Sequence, residues 1–272
     1  MTTLRATSAA PWATPVRDAA LEAFLAAHPE LTFAPVAVVI AALDEEESLP
    51  STLAEIPASA CGLDLDVLVV DDGSTDRTGA VATDAGVHVV RLERNVGHGV
   101  ALRLGYELAA RLGAQYVVTL DADGQWNPAE LEGVLQPVAD GEADFVIGSR
   151  VLGSAETDDA FRQTGVHVFA GLVRLLTGVK VTDTSSGFRA LRVEVTQTVP
   201  QRQMQYQTSE LLIGAIARGY RIAERPIVMR KRTAGESKKG HNVLYGFRYA
   251  RVILETSWRE RRGLAQRRRT SR

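Results

Sequence analysis

Short apolar runs alternate with amphipathic stretches over the first half of the chain. Apolar runs of about four to eight residues are typical of buried strands, whereas apolar residues spaced three or four apart are typical of helices. Strands are predicted near residues 36–42, 66–71, 87–92, 115–120 and 143–148, and helices near residues 46–57, 76–85, 98–112 and 128–139. This alternation predicts a parallel sheet with right-handed crossovers.

The second half of the chain has a less regular pattern. Helices are predicted at residues 15–29, 160–177, 207–218 and 242–262, a loop with a short strand at 183–192, and a strand at 220–229. The first of these helices precedes the alternating region and is expected to be an accessory element. The last ten residues, 263–272, are rich in arginine and are expected to be disordered.

Charge is nearly balanced over the whole chain but unevenly distributed along it. From Arg225 to the end there are 15 Lys and Arg against 3 Asp and Glu, whereas the preceding 224 residues hold 16 against 30. The basic end predicts an anionic partner, which is a phosphate group, a membrane surface or a nucleic acid. Repulsion by the acidic 224 residues argues against the nucleic acid.

Composition also limits the compartment and the type of membrane contact. The single cysteine, Cys61, excludes an intramolecular disulfide and is typical of a reducing cytoplasm. The N-terminus lacks the basic region and apolar run of a signal peptide. No stretch approaches the roughly 18 apolar residues of a transmembrane helix. We therefore expect a cytoplasmic protein whose membrane contact, where it has one, is peripheral and on the inner face.

Two aspartates follow the predicted strand at residues 115–120. Asp121 and Asp123 leave that strand for the Gly124-Gln125 turn, so both carboxylates reach the space beyond the strand end. Hard divalent cations such as Mg²⁺ prefer oxygen ligands and keep open positions for substrate phosphates. The sequence therefore predicts a metal site at Asp121 and Asp123, with the Gln125 amide oxygen as a third ligand. A plain turn would also favour Asp and Gly here.

Carboxylates follow two more of the predicted strands. Asp71 and Asp72 end the second strand, and Asp44 and Glu46 follow the first. Ligands of open α/β sheets bind beyond the carboxyl ends of the strands. Three acidic strand ends on one edge therefore predict a site for a metal and a phosphorylated, polyhydroxylated ligand. Asp44 and the glutamates after it also suit the positive end of the helix that follows.

Five motifs, in this order, resemble glycosyltransferase family 2 and, within it, the polyprenyl-phosphate sugar synthases such as dolichol-phosphate mannose or glucose synthases. The motifs are Val38–Pro50, Asp71–Asp76, Arg94–Gly99, Asp121–Gln125 and Ser186–Arg189. The resemblance implies a GT-A fold, an α/β fold with a Rossmann-like mixed sheet flanked by helices. It also implies a nucleotide-sugar donor, Mg²⁺ or Mn²⁺ as cofactor, and inversion at the anomeric carbon.

The resemblance divides the chain into three parts. Residues 1–34 are expected to be an N-terminal extension with an accessory helix, and residues 35–240 the GT-A catalytic domain. Residues 241–272 are expected to form a basic amphipathic helix and tail. That helix is open to three interpretations: packing on the domain, a homo-oligomer contact, or a peripheral membrane contact.

The resemblance also assigns residues to the donor. Those expected at the nucleotide are Ala42, Asp44, Glu46, Asp71, Asp72, Asn95, Gly99, Ala122 and Arg150. Carboxylates suit this role because they accept hydrogen bonds from ribose hydroxyls and base N–H groups. The glycines of the Arg94–Gly99 motif permit close approach of the backbone.

The acceptor side is expected to be basic. By resemblance, Arg189 meets the acceptor, while Arg232 and Lys238 belong to a loop that closes over the diphosphate. A phosphate acceptor needs no general base, because its second pKa near ~6 leaves it mostly ionised at neutral pH. A hydroxyl acceptor does need one. Asp183 would then be the base, with Glu210 behind it.

The sequence therefore predicts inverting, metal-dependent transfer of a hexose from a GDP-mannose or UDP-glucose type of donor to a polyprenyl phosphate. The alternative is the same fold acting on a soluble, small-molecule hydroxyl acceptor. A nucleotidyltransferase is disfavoured because no Gly-rich basic phosphate loop follows the first strand.

Overall fold

The computed structural model describes residues 15–156, 160–232 and 242–270. The helices are α1 (Pro15–Ala27), α2 (Leu49–Ala54), α3 (Thr78–Asp84), α4 (His98–Arg111), α5 (Leu131–Ala139), α6 (Ala160–Thr177), α7 (Val193–Thr198), α8 (Gln207–Ala217) and α9 (Asn242–Thr270). The strands are β1 (Val36–Ala42), β2 (Ser59–Ala60), β3 (Leu63–Asp71), β4 (His88–Arg91), β5 (Tyr116–Asp121), β6 (Phe145–Ala155), β7 (Arg189–Arg192) and β8 (Ile222–Met229).

The described strands form one mixed sheet. Its order is β2-β3-β1-β5-β7-β6-β8, and β4 pairs with β3. β1 runs parallel to both β3 and β5, and β6 runs parallel to β8. β7 is antiparallel to its neighbours β5 and β6. The parallel sheet expected for the first half is therefore joined to the second half through one reversed strand.

Both faces of the sheet are covered by helices. Every residue of β1 is buried, because Ala37 and Val39 face one core while Val38 and Ile40 face the other. The first core includes residues of α1, α4, α8 and α9, and the second includes residues of α2, α3 and α5. A strand that is buried on both sides needs the continuous apolar sequence of β1, which is why its position is predictable.

Several elements differ from the sequence prediction, among them the two-residue strand β2, which was not predicted. β6 extends to Ala155, beyond the predicted end at residue 148, because its second part pairs with β8 after an irregularity between Ser149 and Ser154. The short helix α7 was not predicted. A disordered tail was expected from residue 263 onward. This expectation was wrong for residues 263–270, because α9 continues to Thr270.

Candidate active site

The three acidic strand ends lie side by side, as the sequence predicts. In the parallel register, Ala42 of β1 pairs with Asp71 of β3, and Ala41 pairs with Asp121 of β5. Parallel strands end at a common edge, so the turns after β1, β3 and β5 share one region. The backbone N–H of Asp72 donates to the carbonyl of Ala42 (2.8 Å), which extends this contact beyond the strands.

Asp121 and Asp123 form the centre of this edge. The Trp126 indole donates to Asp121 Oδ2 (2.9 Å), and His98 Nε2 lies 4.0 Å from Asp121 Oδ1. Asp123 Oδ1 accepts from the Gln125 N–H (3.1 Å), and Asp123 is only 7% exposed. Burial, and then the charge of Asp121, raise the pKa of Asp123. The two carboxylates thus repel one another, and a cation at this site would relieve that repulsion.

Arg232 supplies a positive charge at this site. Its Nη2 donates to Asp123 Oδ2 (2.8 Å), and its Nη1 lies 3.8 Å from Glu45 Oε1. The second cation expected from the same loop, Lys238, lies outside the described residues. Arg232 therefore lies at the acidic edge, where it pairs with Asp123, a predicted metal ligand.

The donor set at this edge suits a divalent metal. Within the described ranges, no group of three or more His, Cys, Asp or Glu side chains is arranged to hold an ion by itself. Mg²⁺ commonly takes one or two carboxylates and completes its shell with substrate phosphates and water. The hard oxygens of Asp121 and Asp123 fit that pattern. The Gln125 side chain directs its Nε2 towards the Arg230 carbonyl, at 3.5 Å.

Gly187 lies directly against this centre. A Cβ atom on Gly187 would collide with both carboxylate oxygens of Asp121. Thr119 Oγ1 donates to the Gly187 carbonyl (2.6 Å) and holds the backbone there. A small pocket beside Asp121 is lined by His98, Thr119, Gly187, Arg189 and Gln207, among others. Gly187 is therefore required for space rather than for conformational freedom.

Asp72 holds the loop in front of α4. Its Oδ1 accepts from the Val96 N–H (2.8 Å), and its Oδ2 accepts from the Gly97 N–H (3.0 Å). Burial raises the pKa of Asp72 to about 6, against the opposing effect of these two hydrogen bonds. Asn95 Oδ1 also accepts from the Gly97 N–H (3.0 Å). Asp72 and Asn95, both predicted at the nucleotide, thus shape the loop by which α4 begins.

The remaining carboxylates of the acidic edge hold the turn after β3. Asp71 Oδ1 accepts from the Ser74 N–H (2.8 Å), Asp44 Oδ1 from the Thr75 N–H (2.7 Å), and Glu46 Oε2 from the Arg77 N–H (2.8 Å). Asp71 is fully buried, whereas Asp44 is exposed. Only the outer members of this set are therefore open to a ligand.

Arg150 and Asp183 form a buried ion pair. Nε and Nη2 of Arg150 donate to the two Asp183 carboxylate oxygens (2.7 and 2.8 Å), and the Ser185 and Ser186 N–H groups donate to Oδ1 (both 3.1 Å). Asp183 is 0% exposed. Burial alone would raise the pKa of Asp183, but the hydrogen bonds and charge of Arg150 outweigh it and hold that pKa below its ordinary value.

Arg189 was expected to bind an acceptor phosphate, but its guanidinium is bound by backbone carbonyls. Its Nε, Nη1 and Nη2 donate to the carbonyls of Ser186 (2.7 Å), Thr208 (2.6 Å) and Thr184 (2.9 Å). The side chain is 2% exposed, and burial lowers the pKa of its guanidinium. In this arrangement, Arg189 ties β7 to α8 instead of presenting its charge to solvent.

Glu210 also lies away from the predicted chemistry. Its Oε1 accepts from Arg259 Nη1 of α9 (2.7 Å), and its Oε2 accepts from the N–H groups of Arg202 (2.7 Å) and Gln203 (2.9 Å). The side chain is fully buried. A carboxylate with these partners is an ion-pair residue.

The residue pattern did not reveal two parts of the site. Trp126 binds Asp121, and its only sequence signal is an aromatic residue in the turn after the two aspartates. The segment 201–204 meets α4 where the Gly99 N–H donates to the Met204 carbonyl (2.8 Å). No periodicity marks that segment, so only the tertiary structure shows it. Ala122, expected at the nucleotide, is buried, with its carbonyl 3.5 Å from Thr52 Oγ1.

Comparisons with known proteins identify the family of this chain. Residues 37–199 match the family model described as "Glycosyl transferase family 2". The chain is 37% identical over 209 residues to a dolichyl-phosphate hexose transferase of Haloferax volcanii, which covers 77% of this chain and 88% of that protein. It is 34% identical over 219 residues to a polyprenol monophosphomannose synthase of Mycolicibacterium smegmatis, which covers 76% and 82%.

Solved structures share the arrangement of helices and strands. Glucosyl-3-phosphoglycerate synthase from Mycobacterium tuberculosis, in complex with Mn²⁺, uridine diphosphate and glucosyl-3-phosphoglycerate, superposes with a TM-score of 0.67. That alignment covers 92% of this chain and 86% of the other, at 22% identity. At this identity the likeness concerns the fold.

Proposed function

Because this chain belongs to glycosyltransferase family 2, we propose that it transfers a hexose from a nucleotide-sugar donor to a polyprenyl phosphate. The chain is a glycosyltransferase with the GT-A fold that its sequence predicted. Its relatives include proteins named as polyprenyl-phosphate sugar transferases. The identities of the donor, the metal and the acceptor are proposals.

The acidic edge is the proposed donor site. Asp121 and Asp123 would hold Mg²⁺ or Mn²⁺ together with the diphosphate of a GDP-mannose or UDP-glucose type of donor. A bound divalent ion there supplies Lewis-acid stabilisation of the leaving nucleoside diphosphate. Asp44 and Glu46, at the rim of the edge, are proposed to accept hydrogen bonds from the nucleoside. Arg232, which contacts Asp123, is proposed to contact the donor phosphates.

The burial and ion pairing of Asp183 are the main support for a phosphate acceptor. A general base needs an accessible carboxylate with a pKa near the working pH. Asp183 is fully buried, bound by Arg150, and has a lowered pKa, so it is a poor base. Glu210 is equally enclosed by its partners. A phosphate acceptor removes the need for either, and its attack in a single displacement would invert the anomeric carbon.

We propose that this acceptor is met at an anionic membrane surface. None of the described helices combines the length and apolar character needed to cross a bilayer. However, α6 and α9 expose an apolar face consisting of Val168, Leu175, Phe247, Leu254 and Trp258. Their spacing of seven or eleven residues along each helix places them on one stripe per helix.

Charge favours a bilayer as the occupant of this face. The guanidinium of Arg262, an exposed residue, stacks 3.5 Å from the centre of the Trp258 ring, and Arg248 on the same helix is also exposed. Aromatic and arginine side chains on one amphipathic helix are typical of helices that lie on anionic lipid. We therefore propose peripheral attachment through α6 and α9.

Calorimetric titration with GDP and UDP, each with and without Mn²⁺, tests the donor site. We expect metal-dependent binding of one nucleotide, and at least about a tenfold loss of affinity in Asp123→Asn, because one metal ligand loses its charge. The matched control is Asp84→Asn, at a carboxylate with 73% exposure on α3, which should bind as the unchanged protein does. Folded protein that binds neither nucleotide would contradict the proposal.

Transfer assays decide between the two acceptor classes. With labelled donor, we expect product on a short-chain polyprenyl phosphate and none on the matching polyprenol or on soluble sugars. Transfer to a hydroxyl acceptor would favour the alternative in which Asp183 is the base.

Vesicle flotation tests the membrane contact. Binding to vesicles that contain phosphatidylglycerol should be lost in Phe247→Ser/Trp258→Ser and retained in Leu152→Ser, a control at a β6 side chain with 50% exposure. If the double variant instead converts a dimer into a monomer while flotation is absent throughout, the face is a subunit contact and the membrane proposal is wrong.

A further inference from the structure

One buried carboxylate links the C-terminal helix to the segment 201–204. Glu210 of α8 is 0% exposed, and its Oε1 accepts from Arg259 Nη1 of α9 at 2.7 Å. Its Oε2 accepts from the backbone N–H groups of Arg202 (2.7 Å) and Gln203 (2.9 Å). The Arg259 Nη2 also donates to the Pro200 carbonyl (3.2 Å). The pair thus fixes the backbone of this segment at its beginning.

The other side of the same segment is fixed to α4. The Met204 carbonyl accepts from the Gly99 N–H (2.8 Å), and the Gln203 carbonyl accepts from Arg103 Nη1 (2.6 Å). The contact is tight, because a Cβ on Gly99 would lie 2.5 Å from the Gln203 carbonyl oxygen. A shift of the segment 201–204 would therefore be transmitted to the first turn of α4.

The first turn of α4 belongs to the acidic edge. The Gly97 N–H is bound by Asp72, and His98 Nε2 lies 4.0 Å from Asp121 Oδ1. A series of polar contacts therefore runs from α9 through Glu210 and the segment 201–204 to the first turn of α4, which lies beside the proposed metal ligand Asp121. Packed elements connected in this way transmit displacement because protein interiors have few voids.

We infer that Glu210 is a positioning residue for the donor site, which it shapes by holding the segment 201–204 against the first turn of α4. This inference rests on the proposed function, since it concerns the binding of the same donor. Glu210 touches neither donor nor metal in this scheme. Its buried charge is balanced by Arg259, so the effect depends on a residue of the C-terminal helix.

Glu210→Gln tests this inference with little change in volume. The amide oxygen can still accept from both backbone N–H groups, which share one oxygen of Glu210. The NH2 group then replaces the oxygen that accepts from Arg259, so that charge-assisted contact is lost. The matched control is Asp144→Asn, at a carboxylate that likewise accepts from an arginine side chain and a backbone N–H, both of Arg221 (2.8 and 2.9 Å). Arg259→Lys keeps the positive charge and should largely retain the behaviour of the unchanged protein.

Hydrogen exchange in the free protein is the first measurement. In Glu210→Gln, we expect amides at residues 97–103 and 201–205 to exchange about tenfold faster, the effect of weakening one charge-assisted hydrogen bond. Asp144→Asn should leave both segments unchanged. Faster exchange at residues 201–205 alone, or an equal rise in both variants, would overturn the inference.

Donor kinetics are the second measurement. We expect the donor KM of Glu210→Gln to rise by about three- to tenfold, more than kcat falls, because the shape of the binding site is disturbed and not the reacting groups. A fall of kcat at unchanged KM would overturn the positioning role. The exchange experiment needs no nucleotide. A positive exchange result with no nucleotide binding by the unchanged protein would therefore refute the proposed function and leave the contact between the segments standing.

Discussion

Charged side chains organise the backbone both at the acidic edge and in the second half of the chain, but with opposite signs of charge. At the edge, Asp71 and Asp72 accept hydrogen bonds from backbone N–H groups and so hold turns in place. In the second half, Arg189 donates to three backbone carbonyls and holds β7 and α8 together. Each region therefore uses its characteristic charge first to organise its own backbone.

Asp121 and Asp123 depart from this pattern. Their partners are mainly side chains, and the repulsion between them helps to raise the pKa of Asp123. This difference separates carboxylates that shape the site from carboxylates that are candidates for holding a metal. In this site, the metal-ligand candidates are the motif carboxylates whose partners are mainly side chains.

Removing Asp183 should have the largest effect on stability. Asp183→Ala leaves the Arg150 guanidinium buried without its carboxylate, which costs about 3–5 kcal/mol for a broken buried pair. Urea unfolding would measure this as a lower midpoint at constant slope. The result would show that charge in the second half is needed for the fold itself.

Glu55→Gln is the matched control for that comparison. Glu55 Oε2 lies 2.7 Å from Arg230 Nη1, but the two side chains are 42% and 36% exposed. Exposed pairs contribute about 0–1 kcal/mol, so the midpoint should hardly move. An equal loss in both variants would contradict the importance that we give to burial.

Gly187→Ala should have the next largest effect. The new methyl group collides with the Asp121 carboxylate, and overpacking of this kind costs about 1–3 kcal/mol. Because Asp121 must move, metal-dependent nucleotide binding should weaken as well, as calorimetry would show. Gly133→Ala, within α5 and with no atom within 4 Å of the new methyl, should instead stabilise by about 0.5–1 kcal/mol. Unchanged nucleotide binding in Gly187→Ala would separate Asp121 from the donor site.

Asp72→Asn should give the smallest effect. The variant loses one of the two hydrogen bonds from Val96 and Gly97 at every pH, and the charge of Asp72 adds a pH dependence. The pKa of Asp72 is about 6 in the folded chain and about 4 when unfolded, so the folded state binds more protons between these values. The stability of the unchanged protein relative to the variant should therefore fall as pH rises from about 4 to about 6. We expect on the order of 1 kcal/mol after solvent screening.

Thermal unfolding of both proteins across this pH range measures the difference. If the stabilities of the two proteins changed equally with pH, the pKa of Asp72 would not be raised in the folded state. The hydrogen bonds from Val96 and Gly97 to Asp72 would then stabilise the loop without an opposing cost of burying the charge.

The sequence predicts those features that depend on one segment at a time. β1 and β5 are recognisable because both faces of each strand are apolar, and Asp121 and Asp123 because they leave a strand directly for a glycine turn. α7 is only six residues long and contains two valines and two threonines, so helical periodicity does not reveal it. The continuation of α9 to Thr270 follows from good helix formers such as Ala, Leu, Gln and Arg, which composition alone had marked as a tail.

The roles of Arg189 and Glu210 depend on several segments at once. Both residues lie where the family motifs suggest chemistry, and both are charged. Whether such a side chain faces a ligand or the backbone is decided by elements distant in the sequence, such as Thr208 for Arg189 and Arg259 for Glu210. No local pattern contains that information.

The reversed strand β7 has a consequence for how the chain folds as it is synthesised. β1, β2, β3, β4 and β5 pair with one another within the first 121 residues, so that part of the sheet can form before β7 joins β5. β6 ends at Ala155 but borders only β7 and β8, and β7 begins at Arg189. At about 5–20 residues per second, β6 waits roughly two to seven seconds for its first partner. During that interval its apolar first half, Phe145–Ile147, depends on a chaperone or on collapse against α5 for protection from aggregation.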